Sequence, residues 1–600
     1  MQEISVPPLV QPTTHGNLSD LPHGWAQREP ARPLFSVNEG GQWRDVSAAD
    51  FTEQVRGLAK GFIAAGVEIG DRVAIMSRTR FEWTLTDFAL WTAGAVPVPV
   101  YETSSEEQVR WILQDSGAVA IVVEDAAHMA LVTGIREDVP DLRDVWQIEG
   151  GALDEVASAG AEVTDEDVDL RRSQLDRTAP ATIIYTSGTT GRPKGCVLTH
   201  DNFMALAENA IERLDQVLNR EGASTLLFLP LAHVFARFIQ VAVVAAGARM
   251  GHSPDVKNLL DDLAAYRPTF LLAVPRVFEK VYNSAEQKAA GSGKVNATVF
   301  ARAAAVASAW SRAQDTGGPG LALKAQHALF DTLVYSKLRE AMGGRVEYAI
   351  SGGAALGDRL GHFFRGVGIT ILEGYGLTET TAPVGVNTPE QVKIGTVGRP
   401  LPGVAVRISD EGEILVKGCN VFDGYFKNDE ATASSMADGW LRTGDLGSLD
   451  DEGFLTVTGR SKELLVTAGG KNVSPAPLED RLRAHVLVGQ CMVVGEGRPF
   501  IAALVTLDEE MWPTWSANHG LEGVSLEEAR THEAVVAAVQ EGVDQANKSV
   551  SRAESIRSFT ILAKDFTEAN GYLTPSLKLK RHVVVKDFAD EIEALYNGPR

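Results

Sequence analysis

Tyr185-Thr-Ser-Gly-Thr-Thr-Gly-Arg-Pro-Lys-Gly195 follows the apolar run Ala181-Thr-Ile-Ile184, and this junction of a strand-like segment with a glycine- and hydroxyl-rich turn decides the reading of the chain. Gly188, Gly191 and Gly195 let the backbone turn closely, while Thr186, Ser187, Thr189 and Thr190 offer hydroxyls and Lys194 a positive charge to phosphate oxygens. It is not a Walker A loop, because Gly191 is followed by Arg192 and Pro193 instead of the Lys-Ser/Thr pair. The ligand it predicts is a nucleotide phosphate.

Outward from this turn, short branched runs alternate with helix-length patterns: DRVAIMS from Asp71, VAIVV from Val119, TLLFLPL from Thr225, PTFLLAVP from Pro268 and VEYAISGG from Val346. Apolar runs with little alternation predict strands covered on both faces, so the expected class is α/β. FALWTAGAVPVPV, Phe88 to Val100, reads as a buried helix followed by a strand; it is too short to span a bilayer and holds Pro97 and Pro99. The alanine-rich stretch from about Ala289 to Ala309 predicts a helix whose Val299, Phe300, Val306 and Trp310 form a core-facing stripe, with partner or membrane contact as the alternative.

Six hundred residues exceed one ordinary hydrophobic core, so several domains are expected. With 56 Lys and Arg against 79 Asp and Glu the net charge is -23, which disfavours a general nucleic-acid or anionic-membrane surface and leaves only local basic sites. Cys196, Cys419 and Cys491 suit neither a disulfide framework nor a metal cluster, and MQEISVPPLV lacks the features of a signal peptide, so the expected address is cytoplasmic. Around Glu413 the texture changes to short strands and glycine turns, with DDEG from Asp450 as a hairpin connection. After Arg460 come a strand ELLVT, a turn GGKNVSP, a helix PLEDRLRAH and strands QCMVVGE and FIAALVTL. The expected division is a large domain over 1–459 and a smaller α+β domain over 460–600, joined at a functional hinge.

Two further segments carry chemistry. In Gly374-Tyr-Gly-Leu-Thr-Glu-Thr380, at a strand end, Tyr375 can stack on a planar base and Glu379 can hold Mg2+ beside phosphate oxygens, although taken singly they read as a packed aromatic and a capping acid. In Asp438-Gly-Trp-Leu-Arg-Thr-Gly-Asp445, Asp445 can accept from both ribose hydroxyls or serve as a turn aspartate; Arg460 can assist or form a surface ion pair.

In this order the three segments resemble the adenylate-forming superfamily of acyl-CoA synthetases, luciferases and peptide-synthetase adenylation domains; DGWLRTGDLGSLDDEGFLTVTGR (438–460) closely resembles the signature of fatty-acyl-CoA synthetases, and the wider pattern is similar to the bacterial long-chain fatty-acid–CoA ligases. The resemblance runs from about Arg44 to the C-terminus. It implies a multi-subdomain N-terminal domain that binds ATP and fatty acid, and a mobile C-terminal domain. It implies that Thr186 to Lys194 cover the phosphates, that Thr378 and Glu379 hold phosphate and Mg2+, and that Asp445 and Arg460 bind ribose. Gly352, Gly353 and Ala354 of the SGGAAL segment would lie beside the base, with Tyr375 and Gly376 near it. His233 in LPLAHVFAR would stand near the substrate carboxylate in a positional role, a core histidine being the alternative. Lys578 in Leu573-Thr-Pro-Ser-Leu-Lys-Leu-Lys-Arg581 would enter the site during adenylation, with Lys580 as its rival; Leu577 replaces the glycine of the common superfamily form. Lys462 matches the hinge, and Gly469, Gly470 and Lys471 match the turn that approaches the thioester-forming site after rotation.

The implied reaction is ATP-dependent acyl-adenylate formation followed by transfer to CoA, with ATP, Mg2+, CoA and a fatty acid as participants. An acyl-carrier protein as acceptor, a catalytically silent nucleotide-binding scaffold and peripheral membrane contact remain alternatives at this stage. The segments Val234 to Val244 and Pro268 to Val277 are candidates for an acyl tunnel.

Overall fold

A computed structural model describes residues 1–11, 13–186, 192–574 and 578–597. The branched runs form strands because both of their faces are covered by other layers. Ser224–Leu227, Phe270–Ala273, Tyr348–Ser351 and Thr370–Leu377 lie side by side and parallel within a nine-stranded mixed sheet. Their carboxyl ends bring Phe228, Val274, Gly352 and Gly374 into one row, where an α/β sheet opens to ligands. Helix Val234–Ala246 starts just beyond this row, which places its first turns beside the opening.

A second parallel sheet contains Val96–Val100, Arg72–Met76, Ala120–Val123 and Asp144–Gln147 in that order. The segment ending at Val100 is a helix and a strand, as the sequence predicts: Phe81–Ala93 stops at Gly94, whose φ of 89° suits a left-handed cap, and Val96–Val100 follows. Pro97 and Pro99 are tolerated because this strand is the sheet's edge. Pro97 still offers its carbonyl, which accepts from the Thr182 hydroxyl at 2.8 Å and ties this sheet to the strand Pro180–Thr186. No helix among the described residues is long and apolar enough to cross a membrane.

The alanine-rich helix occupies Lys294–Gln314, later than its predicted bounds, because Gly291-Ser292-Gly293 separates it from helix Pro275–Gly291. Gly293 has a φ of 110°, which a helix cannot include. Phe300 and Val306 are buried, and Trp310 stacks on His327 with centroids 4.1 Å apart.

An antiparallel sheet pairs Val404–Ile408 with Glu413–Gly418, Glu413–Gly418 with Trp440–Leu449, and Trp440–Leu449 with Leu455–Arg460. DDEG is the last connection: Asp450 accepts from the backbone N–H groups of Glu452 and Phe454, both at 2.9 Å, and Gly453 takes a φ of 85°. Beyond Arg460, ELLVT contributes only the two-residue strand Leu465–Val466, paired with Asn472–Val473 across the GGK turn. The larger sheet there contains Val488–Val494, Ile501–Leu507 and Ile556–Ile561, covered by Ala476–Arg483 and Glu533–Asn547. Its apolar residues gather into clusters of their own around Leu478, Val505 and Val539 on one face and Leu504 and Phe566 on the other. Arg276 joins the two parts of the chain through Asp508 at 2.5 Å, and Lys280 does so through Glu510 at 2.5 Å.

Candidate active site

A cavity of about 3210 Å³ opens along the carboxyl ends of the main sheet and is closed from the other side by residues after Arg460. Thr186 and Lys194 stand on its wall as register partners on adjacent antiparallel strands. The intervening candidates Ser187, Gly188, Thr189, Thr190 and Gly191 lie outside the described residues. The ammonium of Lys194 sits 5.1 Å from the centre of the Tyr425 ring, and the Tyr425 hydroxyl donates to Glu379 at 2.8 Å. This places a cation and a carboxylate on one patch of wall.

Glu379 belongs to the short 3-10 turn Thr378–Thr380, which is held tightly. The backbone N–H of Leu377 donates to the Thr380 hydroxyl at 2.8 Å, and Thr381 donates to the Asn420 carbonyl at 2.9 Å. Thr381 and Ala382 both take positive φ values, 52° and 81°, a conformation of order 1–3 kcal/mol each for such residues that persists where surrounding bonds determine it. Gly376 reaches the wall but also has a structural duty: a Cβ there would lie 1.5 Å from the Ala382 carbonyl oxygen. Glu379 suits Mg2+ in a specific way. No cluster of three metal-ligating side chains occurs among the described residues, and Mg2+ is usually held by one or two carboxylates together with substrate phosphates.

Opposite, Asp445 and Arg460 are register partners on neighbouring strands, 3.0 Å apart through Oδ1 and Nε. The Tyr375 hydroxyl donates to Oδ2 of Asp445 at 2.6 Å. Tyr375 therefore does more than offer a ring: it orients the buried carboxylate, and burial with the Asp445 charge pushes its phenol well above the ordinary range. Each carboxylate oxygen has a second lone pair, so Asp445 can accept further bonds from a diol.

Gly352, Gly353 and Ala354 line the cavity beside Tyr375. Gly353 adopts a φ of 86°, and a Cβ on Gly352 would meet the Phe235 ring at 3.2 Å. Behind the loop, Glu373 accepts from the Leu356 N–H at 2.9 Å; burial pushes its carboxyl up to about 7.

His233 is the N-cap of helix Val234–Ala246: its Nδ1 accepts from the Phe235 N–H at 3.2 Å. Burial, and then the charge of Lys578, pull it down to about 4, so near neutrality it is an uncharged, fixed ring. Lys578 lies on the cavity wall. Its backbone N–H donates to the Thr574 hydroxyl at 3.0 Å, and its carbonyl accepts from the Thr574 N–H at 2.8 Å, which ties Lys578 to Thr574. Leu577 lies outside the described residues. Burial and Arg460 draw the Lys578 ammonium below the usual lysine range, while Asp445 and Glu379 act in the opposite sense. Lys580 and Lys462 also reach the wall, whereas Gly469, Gly470 and Lys471 do not line the cavity; the Lys471 ammonium pairs with Glu554 at 3.2 Å.

The cavity wall also includes the apolar side chains of Phe228, Val234, Phe238, Ile239, Val274 and Val277. This divides the tunnel candidates: Val234, Phe235, Ala236, Phe238 and Ile239 face the space, whereas Arg237, Val241, Val243 and Val244 are fully buried. Sequence reasoning missed Tyr425 and Glu373. Tyr425 reaches Glu379 because Gly424–Tyr425 pairs with the strand Lys194–Thr199, a long-range pairing with no local signal. Glu373 directly precedes the quoted Gly374 and was open to view as an acid inside an apolar run.

Residues 23–426 match the family described as AMP-binding enzyme, and residues 462–599 match the AMP-binding enzyme C-terminal domain. The chain belongs to this family of adenylate-forming enzymes. Among its relatives, the long-chain-fatty-acid–CoA ligase FadD15 of Mycobacterium bovis is 51% identical over the full length of both chains. The FadD15 of Mycobacterium tuberculosis is 50% identical over the same extent. The long-chain-fatty-acid–CoA ligase ACSBG2 of Xenopus laevis is 32% identical over 94% of this chain and 81% of its own. The anthranilate CoA ligase AuaEII with anthranoyl-AMP superposes at a TM-score of 0.74 with 18% identity, covering 96% of this chain and 98% of that one. At such identity the likeness establishes the fold.

Proposed function

We propose that this chain is an AMP-forming long-chain fatty-acid–CoA ligase. The observation that carries the reading is the convergence of Lys578, from the C-terminal part of the chain, with Arg460, Asp445 and Thr186 on one cavity whose wall also carries Phe228, Val234, Phe238 and Ile239. Full-length identity of about half to ligases of this name supports the substrate class.

In the first half-reaction a fatty carboxylate oxygen attacks the α-phosphorus of ATP; the bond from that phosphorus to the bridging oxygen breaks and pyrophosphate leaves. Lys194 and Lys578 offset the growing negative charge, and His233, uncharged and fixed by its cap, orients the carboxylate end of the acid. Asp445 and Arg460 hold the ribose, with Tyr375 positioning Asp445. Glu379 would hold Mg2+, which would supply further charge neutralisation. In the second half-reaction the CoA thiol attacks the acyl carbonyl, its proton is lost, and AMP leaves. No protein nucleophile is needed.

The two steps require different surroundings. We assign residues 1–459 to the ATP- and acid-binding domain and 460–600 to a mobile domain turning at Lys462. The arrangement with Lys578 on the cavity wall and the Gly469–Gly470–Lys471 turn outside it suits adenylation; rotation would exchange the two. The address that goes with this reading is the cytoplasm, with contact at a membrane surface. The deciding experiment follows AMP and pyrophosphate release with acetate, benzoate and fatty acids of increasing length. AMP and acyl-CoA formed only with longer acids support the assignment; pyrophosphate without acyl-CoA points to a carrier-protein acceptor, and no acid-dependent release of either refutes it.

A further inference from the structure

Helices Lys294–Gln314 and Leu321–Phe330 form an outer layer over the apolar core around Phe300, Val306 and Phe330. At 100° per residue, Leu323, His327 and Phe330 share the inward side of the second helix, and Leu321, Ala325 and Leu329 share the opposite one. That opposite side is open to solvent: Leu321 is 86% exposed and Leu329 57%, and the following turn adds Leu333 at 47%. The helix LALKAQHALF contains no acidic residue. Three exposed leucines thus stand close together along one outward side, with Ala325 between the first two.

The charge of this region is opposite to that of the whole. Between Lys288 and Arg345 the chain carries eight lysines and arginines against three acids, in a protein of net charge -23. Two of those acids are taken up by arginines, Asp315 by Arg365 and Asp331 by Arg339. Lys324 and Lys337 are exposed on the same segment as the leucines. On its inner side the layer reaches the cavity, whose wall includes Ser308 and Arg312; between these two, Trp310 stacks on His327 of the leucine-bearing helix.

We propose that this face docks on an anionic lipid bilayer, Leu321, Leu329 and Leu333 entering the boundary between headgroups and acyl chains while Lys324 and Lys337 meet lipid phosphates. A bilayer satisfies both the apolar stripe and its basic surroundings, whereas a second copy of the chain would bring like charges together. The link to substrate supply rests on the long-chain reading above, since such acids partition into bilayers; the docking itself does not.

The test is flotation of the full-length protein, without substrate, on vesicles of phosphatidylcholine alone or mixed with phosphatidylglycerol. Binding is expected on the mixed vesicles and should weaken in high salt. It should fall about tenfold or more in L321D/L329D and in K324E/K337E, while both variants keep the rate of the unaltered protein with its shortest active fatty acid supplied in solution without vesicles. If L321D/L329D does not fold, K324E/K337E, altered only at exposed charges, decides. Absence of binding to the mixed vesicles, or binding undiminished in the folded variants, overturns the proposal. So does a dimer that L321D/L329D dissociates in the absence of vesicle binding, which would make the face an interface between copies. Failure of the ligase reading has a separate signature: no acid-dependent AMP release by the unaltered protein, whatever the vesicles do.

Discussion

The Tyr375 hydroxyl stands 2.6 Å from Oδ2 of Asp445, joining the end of the main parallel sheet to the antiparallel sheet that also supplies Arg460. Truncating each partner should separate their duties. Tyr375→Phe removes one bond to a carboxylate and should raise the KM for ATP roughly tenfold, whereas Asp445→Asn weakens the bond to Arg460 together with the proposed bonds to ribose and should raise it roughly a hundredfold. Pyrophosphate release at varied ATP measures both, and equal effects would remove the distinction between positioning and binding.

Lys578 and Lys580 both reach the cavity, and Lys578 feels the charges of Arg460, Asp445 and Glu379 there. Lys578→Ala should slow pyrophosphate release by roughly a hundredfold to a thousandfold and leave thioester formation from preformed acyl-adenylate within a fewfold of normal. Lys580→Ala should leave both nearly unchanged. The reverse order would transfer the assignment to Lys580.

The same lysine predicts a pH dependence. Its ammonium titrates below the ordinary lysine range, and the charged form is the one that offsets phosphate charge. Adenylation should therefore decline with rising pH earlier than an unperturbed lysine would allow. Lys578→Arg, slower but always charged, should lack that alkaline limb. His233, held at about 4, should contribute no limb near its ordinary value.

Glu373 makes a testable contribution to stability. Its folded-state value of about 7 lies above the ordinary glutamate value, so the folded protein retains a proton that the unfolded chain releases from about pH 4.5 upward. Stability should fall as pH rises through this window to about 7, by of the order of 3 kcal/mol from this group. Glu373→Gln keeps an acceptor for the Leu356 N–H and should flatten the profile, with a higher melting temperature than the unaltered protein at pH 8. Parallel profiles by calorimetry would refute this.

Arg276 binds Asp508 at 2.5 Å and the Arg483 carbonyl at 3.2 Å, both beyond the proposed hinge. Arg276→Met should loosen the arrangement that holds Lys578 at the cavity, slowing pyrophosphate release severalfold while thioester formation from preformed adenylate holds or rises. Equal slowing of both half-reactions would exclude a selective role.

The local chemistry of this protein was legible in its sequence. Unalternating branched runs announced strands covered on both faces, and glycines, hydroxyls and a lysine after an apolar run marked the turn proposed for phosphate, because backbone freedom, charge and hydrophobic periodicity are properties of neighbouring residues. Even Pro97 and Pro99 were compatible with a strand, once its place at a sheet edge was known. The alanine-rich helix was found but misplaced, since only the backbone at Gly293 settles where one helix stops and the next begins.

What the sequence could not decide was which distant groups meet. The Lys194–Tyr425–Glu379 contact depends on strand pairing between Cys196 and Tyr425, and the duty of Tyr375 toward Asp445 depends on two different sheets converging. The division of helix Val234–Ala246 into a cavity-lining start and a buried end, and the choice of the Lys578 face over the Gly469–Gly470–Lys471 turn, are likewise invisible in any window of the chain. Composition and spacing act between neighbours along the backbone. Burial, register and the approach of charges through a shared cavity arise only when segments hundreds of residues apart pack against one another.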